Sequence, residues 1–120
     1  MTEIINLTQH TATAEQSAQG VFEPQNKADV QSLLTFETLP SREEIVAKAE
    51  ALADIAEEEG ASSAMVGGAP YLMGALENAL KERGIQPLYA FSVRESVEET
   101  LPTGEVIKKN VFRHLGFVEV

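Results

Sequence analysis

The chain is 120 residues long and carries 19 acidic against 9 basic side chains, a formal net charge of -10, with no cysteine. That is the size of one domain, 1–120, and with hydrophobic residues at 43% and charged residues at 23% it can bury a core, which excludes collagen-like, linker-like and generically disordered classes. The absence of Cys excludes a disulfide, a thiolate nucleophile and a Cys-based zinc site, and no apolar run approaches the roughly 20 residues of a membrane span. The acidic balance opposes binding to anionic lipid and to long nucleic acid, although a few cations and backbone amides in a cleft can outvote net charge for a small anion. Met1-Thr2-Glu3 opens without a basic region leading into an apolar stretch, so a cytoplasmic protein is expected.

Glu3-Ile4-Ile5-Asn6-Leu7 is short and β-branched and predicts a strand running into the polar loop Thr8-Gln9-His10-Thr11. Thr13 with Gln16 three residues on has capping-box spacing and predicts a short helix to about Gly20. Val21-Phe22 suits a brief strand and Ala28 to Phe36 a short helix, with the stretch Val21 to Leu39 left open as a lid segment. Ser41 with Glu44 is a second capping box, and Ile45, Ala49, Leu52, Ala53 and Ala56 recur at helical spacing up to Gly60. The acidic side of that helix, Glu43, Glu50, Asp54, Glu57, Glu58 and Glu59, reads as a solvated surface.

Ala64-Met65-Val66 predicts a third strand, followed by Gly67-Gly68 and a helix opened by Pro70 with Leu72, Ala75, Leu76, Ala79 and Leu80 as its buried stripe. Gly84 closes it, and Pro87 to Phe91 returns as a strand, a strand–helix–strand unit that requires parallel pairing. Two β-prone stretches then flank the turn Leu101-Pro102-Thr103-Gly104-Glu105, predicting a hairpin. Its returning arm carries Val106, Ile107, Val111, Phe112, Leu115, Phe117 and Val118, so part of it should be buried. The expected fold is α/β, a small Rossmann-like sandwich with a mostly parallel sheet and a C-terminal antiparallel β-hairpin.

Open α/β sheets bind ligands at strand ends, and three candidate places follow. The first is the loop Thr8, Gln9, His10 and Thr11. The second is Gly67-Gly68-Ala69, where glycine admits a close ligand and the helix start offers amides to phosphate, though Gly-Gly is equally an economical turn. The third is Ser92 to Ser96 with the opposing arm Lys108 to His114, where Arg94, Lys108, Lys109 and Arg113 gather four of the nine basic residues. Cross-strand pairing with Glu95, Glu98 and Glu99 would explain them equally well. His10 and His114 are the only histidines; two imidazoles without a third ligand make a poor zinc site, so no metal and no cofactor is expected. Hydrogen-bonded neutral histidines or general acid–base roles remain open for both.

Pro87-Leu88-Tyr89-Ala90, Arg94-Glu95-Ser96-Val97-Glu98-Glu99, Val106-Ile107-Lys108-Lys109 and Val111-Phe112-Arg113-His114 with Phe117 resemble the C-terminal half of a small Csx-type CRISPR-associated family. That family comprises CARF-like, Rossmann-like ring nucleases. Thr8 to Gln16 is similar to its first loop and helix. The resemblance implies a homodimer that binds a cyclic oligoadenylate across its two-fold axis, with cleavage needing no metal because a ribose 2′-hydroxyl can attack the neighbouring phosphate once held in line. In that reading Thr8, His10 and Thr11 contact ribose or base, Arg94 or Lys108 neutralises phosphate, and His114 assists proton transfer. Gly67, Gly68 and Ala69 are assigned to phosphate by fold geometry alone, and Gln9, Ser92 and Ser96 complete the candidate set. Two other classes fit the same sequence: a non-catalytic nucleotide-sequestering module from a phage or plasmid defence conflict, and a small assembly protein whose hairpin pairs with a partner.

Overall fold

A computed structural model describes residues 3–120; Met1 and Thr2, part of the start read for a leader, lie outside the described residues. Nine elements follow in order: β1 (Ile4–Leu7), α1 (Ala14–Ala18), β2 (Val21–Phe22), α2 (Lys27–Leu33), α3 (Arg42–Glu58), β3 (Ser63–Val66), α4 (Pro70–Glu82), β4 (Gln86–Thr100) and β5 (Val106–Glu119). The sheet has the order β2-β1-β3-β4-β5, parallel through β4, with β5 antiparallel at the edge. The mixed α/β architecture and the terminal hairpin are as the sequence predicts.

The local signals act as expected. Thr13 accepts from the Gln16 amide while the Gln16 side chain accepts from the Thr13 amide, and the Ser41 hydroxyl accepts from the Glu44 amide. These caps satisfy amides that a helix start leaves unpaired. Gly60 and Gly84, at φ of +73° and +72°, supply the left-handed residue that stops α3 and α4.

Alternation along the strands then sorts the side chains. Ile5, Leu7, Ala64 and Val66 pack with Leu52, Ala53 and Ala56 of α3 and Leu72, Leu76, Ala79 and Leu80 of α4 in one core, joined by Val30 and Leu34 from the α2 segment. Met73 takes a buried place on α4 where Ala75 was expected, and Ala75 is only half-buried. The acidic face of α3 is not purely solvated: Glu50 and Asp54 clamp Arg83 at 2.7 and 2.8 Å, with Glu57 at 3.9 Å.

Asn6 and Met65 are buried but stand outside that cluster, on the alternate side of the sheet. Toward that side α1 touches β2 and β5, and His114 reaches Gln19 just beyond α1.

The hairpin departs from expectation. On β5 His114 alone is buried; Phe112 is 71% exposed, Val106 58% and Leu115 53%. The returning arm therefore does not tuck into the core. β3 pairs with β4 only as far as Leu88, and β4 and β5 continue alone as a two-stranded ribbon past a bulge at Phe91/Ser92, where Leu115 is the extra residue. The consequence is an elongated molecule, 57 × 37 × 25 Å, whose radius of gyration of 17.0 Å exceeds the roughly 14 Å of a compact chain of this length.

Candidate functional site

The sheet order places its switch point between β1 and β3. The chain leaves β1 toward β2 on one side and leaves β3 toward β4 on the other, so the connections diverge and open a crevice beyond the carboxyl ends of the two strands. A cavity of about 460 Å³ lies there, lined by Thr8, Gln9, His10 and Thr11 after β1, Gly67 and Gly68 after β3, and Tyr89 and Ala90 where β4 leaves the parallel sheet. Its size falls within the ~300–1,000 Å³ of ligand pockets. Two of the three expected places, the first loop and the Gly-Gly turn, thus meet in one crevice.

The first loop is rigidly built, and the residue that builds it is Asn6. Fully buried, its Oδ1 accepts from the Thr8 amide at 3.0 Å and the Thr8 hydroxyl at 2.7 Å, while its Nδ2 donates to the His10 carbonyl at 2.7 Å and to the Glu23 carboxylate at 3.0 and 3.1 Å. Lys27 donates to the carbonyls of Thr8 and His10 at 2.8 and 3.1 Å and pairs with Glu23 at 3.1 Å. Glu23 also accepts from the Ala12 amide at 2.8 Å. Burial pushes the Glu23 carboxyl upward, but the Ala12 amide, the Asn6 side chain and the Lys27 ammonium together outweigh it and hold its pKa below the ordinary value. Gln9 is fastened to α2, its amide donating to the Gln31 carbonyl and the Thr35 hydroxyl, and Gln31 donates back to the Gln9 carbonyl. His10 and Thr11 are left exposed at the crevice.

On the opposite wall, Gly68 at φ +155° holds a backbone that a side chain rarely adopts, and a Cβ there would meet Met73 at 3.5 Å and Leu34 at 3.7 Å. Ala69, though not part of the lining, is the N-cap of α4 and provides no side-chain cap, and Pro70 occupies the first turn. The α4 start, which follows the lining residues Gly67 and Gly68 directly in the chain, therefore has no side-chain cap, and its Leu72 amide donates to the Ala69 carbonyl at 3.0 Å. Tyr89 is held by its hydroxyl donating to Glu77 at 2.6 Å; burial and that carboxylate push its pKa up to about 12.

The third place is not brought to the crevice within one copy. Ala90 lines it, but Arg94 lies four residues farther along β4, about 13 Å at 3.3 Å per residue, and Ser92 lies between them. Ser96 and Lys108, which stands opposite Glu98, are roughly 20 and 26 Å along the ribbon. Arg94 stacks on Phe112 at 5.5 Å. Lys109 and Arg113 pair diagonally with Glu99 at 3.0 Å and Glu95 at 3.5 Å, so cross-strand pairing accounts for half of the basic cluster. His114 is 6% exposed, its Nε2 3.0 Å from Gln19 Oε1 and its ring edge-on to Phe117 at 4.8 Å, and its Nδ1 has no partner among the described residues. No group of three or more metal-ligating side chains occurs among the described residues.

Sequence reasoning missed Asn6, Glu23, Lys27 and Tyr89. A lone Asn inside the apolar run Ile4-Ile5-Asn6-Leu7 was the available signal, because a strand buries such a residue only where partners wait for it.

The model of a family described as the uncharacterized protein MJ1673 family matches residues 2–118. The chain belongs to that family. No curated protein and no solved structure matches it. The match spans the first loop, the Gly-Gly turn and the hairpin alike, so the crevice and the arm are both parts of the MJ1673 family domain. No helix among the described residues is long and apolar enough to cross a membrane.

Proposed function

We propose that this MJ1673-family chain binds a phosphate-bearing nucleotide in the crevice between β1 and β3, and that the ligand is a cyclic oligoadenylate. The observation that carries the reading is the coincidence, at the switch point, of an uncapped helix start behind Gly67-Gly68 with a rigid loop presenting His10 and Thr11. The nucleotide class rests on the crevice; the cyclic ligand rests on the resemblance to Csx-type ring nucleases. Lys27 is committed to Glu23 and to two carbonyls, so phosphate is held by amides rather than by a free cation within one copy. A crevice of about 460 Å³ takes one nucleotide unit of such a ring, which calls for a second copy around a shared two-fold axis. Arg94, beyond the rim, supplies charge to the outer phosphates. His10 is the imidazole that lines the crevice and is the proton acceptor for attack by a ribose 2′-hydroxyl, the step that would make the protein a metal-independent ring nuclease in the cytoplasm.

The test is incubation with cyclic tri-, tetra- and hexa-adenylate in EDTA, with bound and cleaved fractions separated by chromatography. Retention by the wild type and loss of retention by Gly68→Val support the site. Linear products ending in a cyclic phosphate, absent in His10→Ala, support cleavage; retention without products assigns a sequestering module. Passage of every ring unbound would refute the ligand.

A further inference from the structure

The ribbon that β4 and β5 form beyond the bulge has two unlike faces. Cross-strand partners put Ser92, Arg94, Ser96 and Glu98 on one face with His114, Phe112, Asn110 and Lys108. The other face carries Val93, Val97, Ile107 and Val111, interleaved with Glu95, Glu99, Lys109 and Arg113. It continues along β4 through Phe91, 51% exposed, whose apolar side chain lies on the same side by alternation.

None of these four aliphatic side chains belongs to the core or to the partly buried shell around it. Val93, Val97 and Val111 are half-buried and Ile107 is 39% exposed, and a two-stranded ribbon is marginal in water unless a face is covered. The charges say what can cover it. The molecule as a whole is at -10, which opposes self-association, yet on this face two acids meet two bases in the Glu95–Arg113 and Glu99–Lys109 pairs, so its charge is zero. Two copies can bring these faces together without stacking like charge, which no region of average composition on this acidic chain permits. From Phe91 to Leu101 the stripe runs about 33 Å at 3.3 Å per residue, comparable with the breadth of an interface burying roughly 800 Å² per partner.

We propose that this face of the arm is a self-association surface, on which a second copy of the chain lays its own arm so that Val93, Val97, Ile107 and Val111 of the two copies form a common core. The contact is isologous, and the charge pairs flank the aliphatic stripe in both copies. The opposite face, with Arg94, Lys108 and Phe112, stays open. The inference stands on the arm alone and holds whichever ligand the crevice takes.

The test is sedimentation of the ligand-free full chain over a wide concentration range. The wild type should be a dimer. Val97→Asp with Val111→Asp should be a monomer, whereas Ser96→Asp with Asn110→Asp, which adds the same charge to the opposite face, should remain a dimer. Because acidic substitutions can also melt the ribbon, Val97→Thr with Val111→Thr keeps the β-branched shape and should raise the dimer dissociation constant by about tenfold or more. The chain has no cysteine, so a spin label on a single Ser96→Cys, on the open face, gives a clean distance; it should report an interprotomer separation that disappears when Val97→Asp and Val111→Asp are added. A wild type that stays monomeric at every concentration, or a dimer indifferent to Val97 and Val111 yet broken by Ser96 and Asn110, would overturn the proposal.

Discussion

Asn6 shows how much one side chain can decide. It satisfies both sides of its amide in a position where water cannot substitute, and the loop from Thr8 to Ala12 hangs on it. Asn6→Ala should cost about 2–3 kcal/mol, the scale of leaving buried polar partners unpaired, measured by urea denaturation, and should weaken ligand retention together with stability. Asn6→Asp is isosteric but sets a carboxylate beside Glu23, so its destabilisation should shrink as pH falls and the pair takes up a proton. Glu23 itself makes a second prediction. Its folded pKa is depressed below 4.5, so the unfolded chain binds the proton first; the stability it contributes is present above about 4.5 and is lost as pH falls through the lower folded value. Urea midpoints of the wild type should therefore fall below pH 4.5 more steeply than those of Glu23→Gln. Tyr89 runs the other way: with its pKa raised from 10.0 to about 12, its contribution is intact below 10 and is lost toward 12. A titration of phenolate absorbance should place one of the two tyrosines near 12, and Glu77→Gln should bring that step down. Of the residues that build the crevice, the sequence made His10, Thr11, Gly67 and Gly68 legible because loops after strands advertise themselves through polarity and glycine. It hid Asn6, Glu23 and Lys27 because the contacts that join them, Asn6 to Glu23 and Lys27 to Thr8 and His10, span 17 to 19 positions, a separation that local spacing does not report.

At the scale of elements, the helices and the terminal hairpin were legible, and the exposure of the hairpin's returning arm was not. Ser41 and Thr13 cap where their spacing says they should, and the Leu and Ala stripes of α3 and α4 face each other across the core. The register between those helices is fixed by Arg83, whose guanidinium donates to Glu50 and Asp54 on α3 and to the Ala79 carbonyl on its own helix. Hydrogen bonds to the two carboxylates hold its charge more firmly than usual. Arg83→Ala leaves clustered, solvent-exposed acids on an already acidic protein and should cost about 1 kcal/mol, whereas Arg83→Lys, a point charge without the fork, should restore only part of it in the same denaturation assay. The apolar content of β5 suggested burial within the fold. It is instead spread over both faces of a ribbon, and alternation alone cannot say whether a strand's second face meets a helix, solvent or another molecule.

At the scale of the molecule, a body and an arm share one sheet but not one core. Joining Ser92 to His114, which face each other across the ribbon, through an Asn-Gly turn would remove the arm while keeping the buried His114 contact with Gln19. The shortened chain should stay folded, because Val93, Val97, Ile107 and Val111 make no part of the core, and its radius of gyration by X-ray scattering should fall from the arm-bearing monomer's 17.0 Å toward about 13 Å.

The bulge at Leu115 sets a rule for how such an arm can change. Beyond it, what a residue does is fixed by whether its count from the bulge is odd or even, since that parity alone assigns it to the aliphatic face or to the face of Arg94 and Lys108. Adding one residue to each strand near the bulge would exchange the two faces all the way to Gly104. Insertions near the bulge in the MJ1673 family should therefore come as two residues per strand, or multiples of two, whereas the tip is free to lengthen by any number.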